Sequence, residues 1–150
     1  MMRHTFLFEP AVWTAKGTFW RGDGEALEAS GTTEVAHRPE CWLLSGSLKV
    51  LGSPPVEFLN AYRIRPPGRE GGTMRWNSED ATLGKLHGTY SVIGDCIMSV
   101  FRFEDSGYHG AEHLGQIDQD SYHSAGVLLL EDRCLSSWQL RLVRQSQRLS

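Results

Sequence analysis

The chain has 150 residues and a mass of 16.8 kDa, enough for one domain with its own core and too little for two well-buried ones. Hydrophobic residues make up 40% and charged residues 22%, which excludes disordered, collagen-like and coiled-coil classes. The net charge of -3 is mild and the Lys and Arg residues are scattered along the sequence, so no nucleic-acid partner is expected.

No apolar run exceeds four residues, as in Val127 to Leu130, and charge interrupts the N-terminal stretch before a signal core could form. No membrane partner is expected, and the chain reads as cytoplasmic. Cys41, Cys96 and Cys134 form an odd set without short spacing, which points to reduced thiols rather than a disulfide framework or a zinc knuckle.

Gly and Pro punctuate the chain so often that its apolar-periodic segments are too short for long helices. Ten strands are expected near 12–21, 26–38, 41–51, 57–65, 73–78, 84–93, 96–104, 108–117, 122–131 and 134–144, in a single domain spanning 1–150. The second alternates Leu27, Ala29, Gly31, Thr33 and Val35 against Glu28, Ser30, Thr32 and Glu34, the signature of a strand with one wet side. In the third, Trp42, Leu44, Gly46, Leu48 and Val50 repeat the pattern. The fourth sends Phe58, Asn60, Tyr62 and Ile64 inward before the turn at Pro66-Pro67-Gly68.

A two-residue turn at Gly94-Asp95 pairs Ile93 with Cys96, which puts Leu86, Gly88, Tyr90, Val92, Ile97, Ser99, Phe101 and Phe103 on one face. His87, Met98 and Arg102 take the other face, and Phe101 is expected to cover Gly88. A three-residue loop at Asp105-Ser106-Gly107 would send His109, Ala111, His113, Gly115 and Ile117 inward; a loop one residue longer would reverse this. In the last strand, a two-residue turn pairing Leu130 with Leu135 would send Gln139 and Arg141 inward. A three-residue loop would send Trp138 inward instead, and hydrophobicity favours Trp138, Leu140 and Leu142 as the buried set.

A meander of about ten strands resembles the calycin superfamily, which includes lipocalins, fatty-acid-binding proteins, avidins and nitrobindin-like proteins. The residues that carry the resemblance are Gly17-Thr18-Phe19-Trp20-Arg21-Gly22-Asp23-Gly24, with the Trp-x-Gly-x-Gly spacing of nitrobindins. The resemblance implies an all-β, antiparallel up-and-down barrel. Only Gly22-Asp23-Gly24 separates the first two strands, so the helical lid of fatty-acid-binding proteins has no counterpart and a lidless barrel is expected. The nitrobindin haem ligand is a His in the last strand, where this chain has Leu135 to Arg141, so haem is not carried over and no cofactor is expected.

His109-Gly110-Ala111-Glu112-His113 matches the His-x-x-Glu-His pattern of metalloproteases. That chemistry needs a helix to bring both imidazoles to one metal, whereas four residues of strand span roughly 13 Å and turn Glu112 away from both. No metal is expected there, and the bland reading is a pair of wall histidines. Tyr62, Trp76 and Tyr90 offer apolar bodies with polar tips on successive inward faces, Asn60 adds an amide, and Arg141 could hold a carboxylate as an Arg does in fatty-acid-binding proteins. Trp13, Trp20, Trp42 and Trp138 read as packing residues, and each cysteine as an inert thiol.

The expectation is a binding protein for a small hydrophobic or amphipathic molecule held inside the barrel by Asn60, Tyr62, Trp76, Tyr90, Phe101, His113 and Arg141, without catalysis. One alternative is a barrel enzyme in which inward His113 and Tyr90 transfer a proton on a small hydrophobic substrate. Another is a non-catalytic interaction module with a plugged barrel, and association into a homodimer is left open.

Overall fold

The computed structural model describes residues 2–68, 72–80 and 84–146. Among them are ten strands and no helix: β1 (Ala11–Arg21), β2 (Ala26–His37), β3 (Trp42–Val50), β4 (Val56–Ile64), β5 (Met74–Asp80), β6 (Gly84–Ile93), β7 (Cys96–Phe103), β8 (Tyr108–Asp118), β9 (Ser121–Leu130) and β10 (Arg133–Arg144). Each expected strand is present within two residues of its expected bounds. Every strand pairs antiparallel with its neighbours in sequence, and β1 closes onto β10 from Trp13 opposite Arg144 to Arg21 opposite Ser136. Closure satisfies the edge groups that an open sheet would expose.

The β6–β7 hairpin has the expected register, with Ile93 opposite Cys96 and Gly88 opposite Phe101. Gly94 takes the left-handed φ of 58° that such a tight turn requires. Phe101 does not cover Gly88, however. A Cβ at Gly88 would collide with the Trp76 ring, while Phe101 leans over Gly110 on β8.

The facing of β8 departs from expectation, while β10 follows its hydrophobic pattern and not the turn count that would send Arg141 inward. The β7–β8 connection has four residues, Glu104 to Gly107, although the Glu104 N–H still donates to the Lys85 carbonyl of β6 at 2.8 Å. Arg102 then pairs with His109 and Ser99 with Glu112, so His109 and His113 point outward and Gly110, Glu112 and Leu114 inward. In β10 a two-residue turn pairs Leu130 with Arg133, and a bulge between Cys134 and Ser136 then switches the side-chain parity. Trp138, Leu140 and Leu142 face inward, and Arg141 lies exposed on the outside.

The barrel is not without a cover. Residues 4–8 fold across the end where β1 begins, with no helix, and Leu7 and Trp13 are both 0% exposed there. Phe6 meets Trp13 edge-on at 5.4 Å, and Phe8 meets Trp42 at 5.6 Å. The Tyr122 hydroxyl accepts the Thr5 N–H at 3.1 Å and the Phe6 N–H at 3.4 Å, so its own hydrogen goes to His4 Nδ1 at 2.7 Å. His4 Nε2 donates to the Gly94 carbonyl at 2.9 Å. Leu7 has a left-handed φ of 73°, a strained state for this residue, held by its complete burial and by His37 Nε2 donating to its carbonyl at 2.7 Å.

Candidate ligand-binding site

Ile64, Met74, Ile97, Leu114 and Tyr122 fill the covered end completely. Toward the other end, which carries the β1–β2, β3–β4, β7–β8 and β9–β10 connections, the interior changes. Leu48, Phe101, Phe103, Leu128, Leu130 and Trp138 face inward yet are only half-buried, and Phe58 is 42% exposed. Inward apolar side chains that stay wetted line an open space, as expected when a wide barrel is not filled by its own residues.

At the boundary between the two halves lies Glu112 of β8. Its row runs across the sheet as Tyr90, Ser99, Glu112, Gly126, Trp138 and Phe19 on β6, β7, β8, β9, β10 and β1. Gly126 is required at its place, because a Cβ there would run into the Trp138 indole. The ring crosses β9 over that glycine, and Trp138 Nε1 donates to Glu112 Oε2 at 3.0 Å. Ser124 Oγ donates to the same oxygen at 2.9 Å. Burial pushes the Glu112 carboxyl above the ordinary carboxylate range, and the two hydrogen bonds pull it down without cancelling that effect. Glu112 forms no ion pair with a described cation. It remains half-buried deep within the wall, so a solvent-sized space adjoins it.

An aromatic wall faces this group. Trp76 stacks on Tyr62 at 4.2 Å and 20°, lies 5.9 Å from Tyr90 and 6.3 Å from Phe101, and donates Nε1 to Ser99 Oγ at 3.3 Å. The Tyr90 hydroxyl makes no hydrogen bond with another described residue. Burial, with Tyr62 and Glu112 nearby, pushes Tyr90 well above the usual tyrosine range and keeps it a neutral phenol.

Of the residues expected to contact a ligand, Asn60, Tyr62, Trp76, Tyr90 and Phe101 face the interior, and Asn60 is half-buried on β4 opposite Gly46. His113 and Arg141 are exposed on the outer wall, which removes an interior His–Tyr pair and an interior guanidinium. Glu112, Ser124 and Trp138 were missed. Alternation within β9, which sets Tyr122, Ser124, Gly126 and Leu128 on one face, was the signal that could have found them.

The wall is not uniformly sealed. Paired positions between β4 and β5 are limited to Arg63 with Asn77 and Ile64 with Trp76, supplemented by Ser78 Oγ donating to the Ala61 carbonyl at 2.6 Å. A cleft of about 590 Å³ along this seam reaches inward-facing Leu44 and Tyr62.

No family model and no curated protein matches the sequence. In fold the chain is a closed ten-strand antiparallel barrel, similar to the S-type phycobiliprotein lyase CPES from Guillardia theta. That likeness has a TM-score of 0.67 at 8% identity and covers 95% of this chain and 92% of the lyase. A putative AttH from Nitrosomonas europaea aligns with a TM-score of 0.35 at 8% identity, covering 94% of this chain and 52% of its own.

Proposed function

We propose that this protein binds a small amphipathic molecule in the open half of the barrel, with an N–H donor or cationic nitrogen directed at Glu112. The observation that carries this reading is a carboxylate deep in the wall, held by two neutral donors without a cation and adjoining open space. An ionised carboxylate in a low-dielectric site is unfavourable, and a ligand nitrogen placed against it would offset that cost. Trp138, Tyr62, Trp76 and Phe101 supply flat surface for the ligand's apolar body. This chemistry disfavours a carboxylate ligand, which would meet like charge at Glu112. The three free thiols suit a reducing compartment.

The test uses gently purified protein. Native mass spectrometry and an absorption spectrum detect a carried molecule, and titration with a cationic dye and an anionic dye of similar size probes the site. The cationic dye is expected to bind more tightly, to lose about tenfold in Glu112→Gln, and to gain affinity as pH rises through the raised Glu112 pKa. Equal binding of both dyes with no effect of Glu112→Gln would remove this reading.

A further inference from the structure

Arginines that are far apart in the sequence meet on the outer wall. The register sets Arg63, Asn77, His87, Arg102 and His109 in one row across β4, β5, β6, β7 and β8. Neighbouring strands lie about 4.8 Å apart, so this is a continuous outward ladder. Arg75 lies two residues from Asn77 on β5, and the Arg65 N–H donates to the Arg75 carbonyl at 2.8 Å, which gathers Arg63, Arg65 and Arg75 at one corner. These residues border a groove of about 1210 Å³ whose apolar floor includes Val100, Ala111 and Leu129. Val100 is 56% exposed.

The charge of this groove opposes that of the chain. Four arginines face two glutamates, Glu40 and Glu104, in a protein of net charge -3. Glu104 lies 3.7 Å from His87, and none of Arg63, Arg65, Arg75 and Arg102 forms an ion pair with a described residue. The scatter of basic residues along the sequence thus hides a cluster in space.

We propose that this groove docks an acidic polypeptide segment that also carries aliphatic side chains. Guanidinium groups hold carboxylates through paired hydrogen bonds, and the Val100, Ala111 and Leu129 floor takes the aliphatic groups between them. A nucleic acid fits less well: the net charge of -3 on the whole chain opposes a long polyanion, whereas a short acidic segment meets only the groove.

The test is fluorescence anisotropy with a labelled twelve-residue peptide of alternating Glu and Leu, its Lys-for-Glu counterpart, and labelled oligo-dT. The Glu–Leu peptide is expected to bind, to weaken severalfold between 50 and 300 mM salt, and to lose at least tenfold in Arg75→Glu with Arg102→Glu. Lys16→Glu with Arg141→Glu, which places the same charge change on exposed residues of the opposite wall, should leave binding unchanged. Circular dichroism and melting curves establish that both double variants fold, and single Arg75→Gln serves if the first does not. Absence of peptide binding, equal binding by the two double variants, or oligo-dT binding as tight as the peptide would each overturn the proposal.

Discussion

The covered and open halves of this barrel are built from the same ten strands, yet they differ in how they treat polar groups. At the covered end the ring nitrogens of His4 and the hydroxyl of Tyr122 all have protein partners, packed among Leu7, Trp13, Ile97 and Leu114. At the border of the open half, Glu112 has two donors but no countercharge, and the Tyr90 hydroxyl has no described partner. These bonds and the packing close that end, although the Trp13 Nε1–H and Gln116 Oε1 lie buried there without a partner among the described residues. The open half instead keeps a carboxylate without countercharge, which is where a ligand can contribute what the chain does not.

The largest expected effect is therefore at the covered end. Trp13→Ala removes a fully buried indole and should lower stability by about 3–5 kcal/mol, read as the urea midpoint at unchanged slope. A loss below about 1 kcal/mol would show that the N-terminal cover contributes little and would erase the contrast. Tyr122→Phe keeps the ring but strips the hydroxyl from His4 Nδ1 and the Thr5 N–H, with an expected cost of about 1–3 kcal/mol. Faster exchange of the Thr5 and Phe6 amides should accompany it, because those protons lose their acceptor.

Glu112→Gln tests the other half and should act in the opposite sense. The raised pKa means that the folded state binds the Glu112 proton more tightly than the unfolded state does. Its stabilising contribution is complete below the unfolded pKa and is lost as pH rises through the folded one. At neutral pH, glutamine keeps an oxygen for Trp138 and Ser124 without the buried charge, so the variant should be more stable by on the order of 1 kcal/mol. The gain should vanish on acidification, as seen in melting temperatures across the pH range. A variant less stable than the parent at neutral pH would mean that Glu112 belongs with the satisfied groups.

The same contrast explains which parts of the molecule were legible in the sequence. Strand positions followed from Gly and Pro punctuation, and the β6–β7 register followed from a turn whose length Gly94-Asp95 leaves little choice. Facing failed where one residue changes parity. Glu104 joined the β7–β8 loop and turned His113 out and Glu112 in, while the bulge at Leu135 turned Arg141 out by a route that loop counting does not include. For β10 the hydrophobic pattern of Trp138, Leu140 and Leu142 was the better guide. The cover over the barrel end was illegible for another reason: residues 4–8 have no strand or helix period, and only tertiary packing holds them. The cluster of Arg63, Arg75 and Arg102 likewise exists only once strands are paired.

The smallest effect on stability is expected at Tyr90, where the comparison is sharpest because the ring and the hydroxyl belong to different halves of the argument. The ring packs near Trp76 at 5.9 Å and is almost fully buried, so it serves the core. The hydroxyl has no described partner, so Tyr90→Phe removes no hydrogen bond within the protein and should change stability by less than about 0.5 kcal/mol. If a ligand fills the space beside Glu112, that hydroxyl is free to bond to it, and the same substitution should weaken binding by about 0.5–1.5 kcal/mol. Urea midpoints and dye titrations on one preparation separate the two. A stability loss comparable with that of Tyr122→Phe would show that the Tyr90 hydroxyl is already satisfied within the protein, and the open half would then have one polar group fewer to offer.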